Sequence, residues 1–263
     1  MPHVKVNGAS LRYEWEGPTD APVVMFCNSL GTNLAMWNPQ IAAFTREFRV
    51  LRYDSRGHGQ SEVTPGPYTI EGLGQDVLGL IDALQIRRVL FCGLSLGGVI
   101  AQWLGVNARD RLNAIVISNS AAKIGSDDFW NKRIAKLCQD GIAPVAAAQL
   151  GRWFTEAFAA AQPQVIEKMK EMFVATSLDG YISTCEALRD CDLRGDINHI
   201  QTPTLVIGGT HDVVTTLADA KFMAVGIPGA QYAELNASHL SNIEDAADFT
   251  ATVMRFFSHQ EIR

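Results

Sequence analysis

The sequence predicts an α/β fold: a mostly parallel central sheet flanked by helices, with a helical cap inserted after a mid-sheet strand. Three observations carry this. Short, continuous, β-branched runs recur along the chain with helical patterns between several of them, which reads as strands buried on both faces and joined by crossover helices. One long stretch, 121–199, has several amphipathic helical segments and no strand pattern. The strand rhythm then resumes at Thr204. A chain of 263 residues suits one core with one insertion, so the reading assigns 1–120 and 200–263 to the core and 121–199 to the cap.

The elements follow in order. Val4 and Val6 precede Asn7-Gly8, a turn pair that tolerates positive φ, and Leu11, Tyr13 and Trp15 alternate after it, giving an opening β-hairpin. The strand runs are Val23–Cys27, Val50–Tyr53, Val89–Cys92, Ile115–Ile117 and Thr204–Ile207, with Gln231–Leu235 as the last. Between them, Asp76 to Leu84 carries Val77, Leu80, Ile81 and Leu84 on one helical face, and Gly98 to Val106 forms another helix. In the cap, Trp130, Ile134, Leu137 and Cys138 make one helical stripe ended by Gly141. Pro163 opens a second helix, backed by Val165, Ile166, Met169, Met172 and Phe173. Such an insertion sits over the carboxyl edge of the strands, where open α/β sheets bind ligands.

Composition narrows the function. With 47% hydrophobic and 19% charged residues the chain is not a disordered one. A net charge of −6 and a pI near 5.5 leave no basic surplus, so nucleic acid is not an expected partner. The cysteines Cys27, Cys92, Cys138, Cys185 and Cys191 are odd in number and form no C-x-x-C pair. That argues against a disulfide framework or a zinc site, and for a reducing compartment. The start M-P-H-V-K-V-N-G does not read as a signal peptide, and no apolar run approaches a bilayer span, so the expectation is a cytoplasmic protein without membrane contact. Oligomeric state is left open.

The most informative stretch is Val89 to Gly98, where an apolar strand runs straight into G-x-S-x-G and a helical pattern follows. This is the context of a nucleophile elbow. The turn is too sharp for side chains at Gly93 and Gly97, and it lifts the Ser95 hydroxyl above the sheet. It also aims the Leu96 N–H, at a helix N-terminus, toward a developing oxyanion. A serine nucleophile needs a base, and the base an orienting acid, in the chain order Ser, Asp or Glu, His. Asp212 follows Thr204–Ile207 through Gly208-Gly209-Thr210-His211; His239 follows Gln231–Leu235 through Asn236-Ala237-Ser238. Both thus belong at the same sheet edge as Ser95. The rivals fit less well. His58 precedes the serine, His211 precedes Asp212, Glu234 lies in a strand and Asp245 at a helix start. The second oxyanion donor is expected from the loop after Val23–Cys27, at the Leu30 N–H, with the side chains of Ser29 and Asn33 in reach of a ligand.

These residues carry a resemblance. The segments N-S-L-G-T-N-L-A-M-W at 28–37, Y-D-S-R-G-H-G-Q-S at 53–61, F-C-G-L-S-L-G-G at 91–98, A-A-K-I-G at 121–125, W-N-K-R-I at 130–134, R-W-F at 152–154, A-L-R-D-C-D-L-R at 187–194 and A-S-H-L-S-N-I-E at 237–244 resemble the α/β-hydrolase superfamily and, within it, the β-ketoadipate enol-lactonases. Two prolines usual in that family, near Thr216 and Ala246, are missing. The resemblance implies cofactor-free hydrolysis of β-ketoadipate (3-oxoadipate) enol-lactone to β-ketoadipate, in aromatic-compound catabolism. Serine carboxylesterases and carbon–carbon bond hydrolases use the same triad, and a ligand-binding receptor of this fold is the non-enzyme alternative.

The implied substrate is a small anionic lactone, and its carboxylate needs a local cation. Among Arg56, Arg133, Arg152 and Arg189, the first belongs to a superfamily loop, Arg152 reads as solvated, and Arg189 sits among Asp190 and Asp192. Arg133 lies three residues after Trp130 and four before Leu137, bordering the buried stripe, with Lys132 and Lys136 on the far face. It is therefore the expected clamp, with Trp130 and Trp153 as candidate walls of the substrate site.

Overall fold

The computed structural model describes residues 2–260. Strands β1 (His3–Val6) and β2 (Ala9–Glu16) form the hairpin, turned by Asn7 at φ 45° and Gly8 at φ 77°. The remaining strands are β3 (Val23–Cys27), β4 (Arg49–Tyr53), β5 (Val89–Leu94), β6 (Leu112–Ser118), β7 (Thr204–Gly209) and β8 (Gln231–Leu235). Together they form one eight-stranded sheet in the order β1-β2-β4-β3-β5-β6-β7-β8. β2 pairs antiparallel with both β1 and β4, and β3 to β8 run parallel to one another. Several strands outrun their apolar cores by one to four residues, because the backbone ladder continues wherever a neighbouring strand supplies partners.

The core helices are α1 (Asn38–Phe44), α2 (Ile70–Ala83) and α3 (Leu96–Asn107). α2 begins six residues before the start read from the sequence. Thr69 caps it by accepting from Gly72 N at 2.9 Å, and the polar Asp76 that interrupts the pattern is buried against Arg56, 2.8 Å from its Nε. That ion pair also accounts for Arg56 as a structural residue.

The cap follows β6 and comprises α4 (Asp127–Asp140), α5 (Ala146–Trp153), α6 (Glu156–Ala161), α7 (Pro163–Val174) and α8 (Leu178–Asp190). α4 buries Trp130 and Leu137. Cys138, expected on the same stripe, is exposed, because α4 meets its neighbours along a narrower seam and the next position, about 100° on, turns to solvent. Lys132 and Lys136 are on the outer face, paired with Asp128 and Asp140. In α7, Met169 and Phe173 are the buried positions. The chain then re-enters the core through β7, α9 (Leu217–Gly226), β8, the single turn α10 (Ser241–Glu244) and α11 (Ala246–Ser258). At one point cap and core touch backbone to backbone. A Cβ on Gly180, in the first turn of α8, would lie 2.2 Å from the Gly57 carbonyl oxygen, and one on Gly57 would lie 2.7 Å from the Gly180 Cα.

The five cysteines are free thiols, and among the described residues no helix is long and apolar enough to cross a membrane. Thr216 starts α9 with a capping box: Asp219 N donates to its hydroxyl and its own N–H donates to Asp219, at 3.4 and 2.7 Å.

Candidate active site

The strand-to-helix turn after β5 places Ser95 at φ 57° and ψ −111°, a strained conformation for a side-chain-bearing residue. Its surroundings hold it there. Ser95 N donates to the Ser118 carbonyl at 2.9 Å, and the Ser120 hydroxyl donates to the Ser95 carbonyl at 2.8 Å. The two flanking glycines are a steric necessity. A Cβ at Gly93 would sit 2.0 Å from the Gly97 oxygen, and one at Gly97 would sit 2.3 Å from the Cys27 oxygen.

His239 Nδ1 lies 2.8 Å from Asp212 Oδ2, both side chains buried. The carboxylate is fully bonded. Val214 N and Thr215 N donate to Oδ1 at 2.7 and 3.1 Å, and the Thr215 hydroxyl and Asn119 Nδ2 donate to Oδ2 at 2.9 and 3.1 Å. Burial alone would raise the Asp212 carboxyl, but His239 and these hydrogen bonds outweigh it and hold the group at about 2. Asn119 follows β6 at φ 43°. Its Oδ1 accepts from the Ser118 and Ser241 hydroxyls, and its Nδ2 also donates to the Ser238 carbonyl, so it braces the acid loop and the histidine loop together.

Ser95 and His239 share one pocket under the cap. Ser29, Leu30, Trp130, Arg133 and Trp153 are on its wall, so the residues read from the sequence converge on one place, with Leu96 opening α3 directly behind Ser95. The loop carrying Leu30 is tied to the elbow by Gly97 N donating to the Asn28 carbonyl at 3.1 Å. It is tied to the core by the Asn28 side chain, which donates to the Tyr53 carbonyl and accepts from Trp37 Nε1. Asn33 is not on the wall; its side chain accepts from Ala35 N and caps a short 3-10 turn.

Sequence reasoning passed over Arg152, Gln149 and Tyr181, all on this wall. Arg152 is not the solvated residue expected of it. It is half-buried over the Phe129 ring, 5.3 Å from its centroid, and burial and then the like charge of Arg133 lower its pKa. Arg133 donates to Gln149 Oε1 at 2.6 Å and to the Tyr181 hydroxyl. Neither arginine has a carboxylate partner among the described residues, whereas Arg189 is paired with Asp190.

His58, the rival base, is buried away from this pocket, with Nδ1 3.2 Å from the Arg56 carbonyl. Burial pushes its pKa down from 6.5 to about 4. The unfolded chain therefore binds a proton between those values that the folded protein refuses. The contribution of His58 to stability is complete above pH 6.5, declines as pH falls, and is about 3 kcal/mol smaller once pH is below 4, while the burial-raised carboxyls of Asp54 and Asp245 act in the opposite sense. Urea unfolding at pH 7, 5.5 and 4.5 should show this slope, and His58→Gln should flatten it; parallel slopes would rule His58 out as its source. Asp212 contributes only below 3.8, outside that window.

Comparison with known proteins identifies the family. Residues 22–246 match the model of the α/β hydrolase fold. The chain is 42% identical to 3-oxoadipate enol-lactonase 2 of Acinetobacter baylyi, over 93% of this chain and 91% of that one. The crystal structure of the enol-lactonase from Burkholderia xenovorans LB400 superposes with a TM-score of 0.97 at 47% identity, covering 98% of this chain and 100% of that one. A putative carbamate hydrolase of Stutzerimonas stutzeri is more distant, 29% identical over 95% of this chain and 97% of its own. The chain therefore belongs to the α/β-hydrolase family, on its enol-lactonase branch, and is a hydrolase.

Proposed function

We propose that the protein opens 3-oxoadipate enol-lactone with water to give 3-oxoadipate, using Ser95 as nucleophile, His239 as base and acid, and Asp212 as the orienting group. The observation that carries the substrate class is the pocket wall: Arg133 and Arg152 face the Ser95–His239 pocket, and among the described residues neither is ion-paired with a carboxylate. Two half-buried cations of like charge are unfavourable beside each other until an anion joins them. The carboxymethyl group of the lactone supplies that anion, and likeness to the enol-lactonases points to the same ligand.

Ser95 Oγ attacks the lactone carbonyl as His239 takes its proton. Asp212 holds the imidazole in one tautomer and stabilises its cation. The Leu30 and Leu96 N–H groups receive the oxyanion. The leaving enolate stays tethered to the acyl chain and is poised to re-close the ring. Proton donation from His239 and conversion to the ketone make opening one-way. Water deprotonated by His239 then frees the acyl-enzyme.

The test is hydrolysis of the enol-lactone beside a neutral activated ester. Arg133→Met should weaken kcat/KM for the lactone by about 2–5 kcal/mol, the scale for breaking a buried charge pair, and leave the neutral ester close to wild type. Equal losses on both would mean a damaged cap, and an unaffected lactone would remove Arg133 from the clamp. Failure of the wild type to open the lactone while cleaving the ester would favour a general carboxylesterase.

A further inference from the structure

The cap segment that carries Arg152 and Trp153 is fastened to the loop that carries His239. Glu244 is the centre of the fastening. Its Oε1 accepts from Thr155 N at 3.2 Å and from the Thr155 hydroxyl, and its Oε2 accepts from Ser238 N at 2.9 Å. Two further bonds run alongside. Leu240 N donates to the Trp153 carbonyl at 3.1 Å, and the Ser238 hydroxyl donates to the Arg152 carbonyl at 3.3 Å. The residues on either side of His239 are thus both bonded to the cap, and the cap residues they hold adjoin or are themselves pocket walls. Thr155 also caps α6, so the segment is fixed from both directions.

We propose that Glu244 is a positioning residue that keeps the cationic wall of the pocket in register with the catalytic histidine. A carboxylate suits this place because it accepts from both sides at once and each bond is charge-assisted. The consequence is specific. An anionic substrate must present its carboxylate to the arginines and its carbonyl to Ser95 and His239 together, so the spacing between wall and histidine governs it. A small neutral ester uses only the Ser95–His239 end and is indifferent to that spacing. The proposal rests on the reading of the substrate as an anionic lactone.

The experiment is a thermodynamic cycle between Glu244→Gln and Arg152→Met, read on the enol-lactone and on p-nitrophenyl acetate. Glutamine keeps the shape and one acceptor but loses one arm of the strut. Glu244→Gln should cut kcat/KM for the lactone by about ten- to a hundredfold, the range for one charge-assisted hydrogen bond, with a smaller loss on the ester. In the Arg152→Met background most of that lactone loss should vanish, because the group to be held in register is gone. Thr155→Val, which leaves the Ser238 arm intact, should reproduce the lactone effect in weaker form if Glu244→Gln does not fold. Hydrogen exchange on the full chain should show the Thr155 and Ser238 amides accelerating together in Glu244→Ala, which removes both arms. Additive losses in the cycle, equal losses on the two substrates, or independent exchange of the two amides would each overturn the proposal. Absence of any lactone preference in the wild type would overturn the substrate reading alone, and the exchange result would still decide whether the strut exists.

Discussion

Replacing Ser95 with alanine leaves a folded protein whose turnover falls by about a millionfold, the usual cost of removing a triad nucleophile. The backbone at Ser95 is held by Ser118 and Ser120 through main-chain groups that alanine also possesses, so the strained turn persists and the fold with it. What disappears is the oxygen. The oxyanion donors and the binding walls stay in place, and they alone sustain a residual rate of about a thousand- to ten-thousandfold over water. Circular dichroism and thermal melting should match wild type, and a serine-directed phosphonate should label wild type at one equivalent and the variant not at all. Near-normal hydrolysis by a folded Ser95→Ala protein would remove the covalent mechanism.

His239→Ala should be as severe, about a millionfold, and should abolish acyl-enzyme formation as well as its breakdown, because the same imidazole serves both half-reactions. The Asp212 carboxylate would be left without its imidazole partner in a buried site, so some stability is lost also. His58→Ala gives the contrasting result. It lies outside the pocket, and its removal should lower melting temperature while leaving kcat within a few-fold of wild type. An active His239→Ala with an inactive His58→Ala would reverse the assignment.

The candidate triad and oxyanion residues share one property that made them legible before the structure: each lies after a strand. Ser95, Asp212 and His239 follow β5, β7 and β8, and Leu30 follows β3, so recognising the strands located the site. Strands were readable because β-branched runs in a sheet buried on both faces leave little alternative. The helices were less exact. The polar Asp76 hid the first turns of α2, since its pairing with Arg56 is a tertiary fact. The cap was the least legible, because its walls are formed by helices packing against one another and helical period alone does not say which side faces a pocket. Cys138 shows the error in one direction and Arg152 in the other. A signal for Arg152 was present: Gln149, Arg152 and Trp153 are spaced i, i+3, i+4 and share one face of α5, with the tryptophan fixing that face as inward. Asn119 and Thr215 had no such signal. Their roles come from loops folding back on Asp212.

The backbone contact between Gly57 and Gly180 bears on how caps are exchanged between related hydrolases. Neither position can be compensated by trimming the other, since both already lack a side chain. A chimera that takes its cap from one parent and its core from another must therefore inherit the 53–61 loop and the first turn of α8 as a matched set. A junction cut between them would ask two unrelated surfaces to meet at a separation that only a pair of glycines permits.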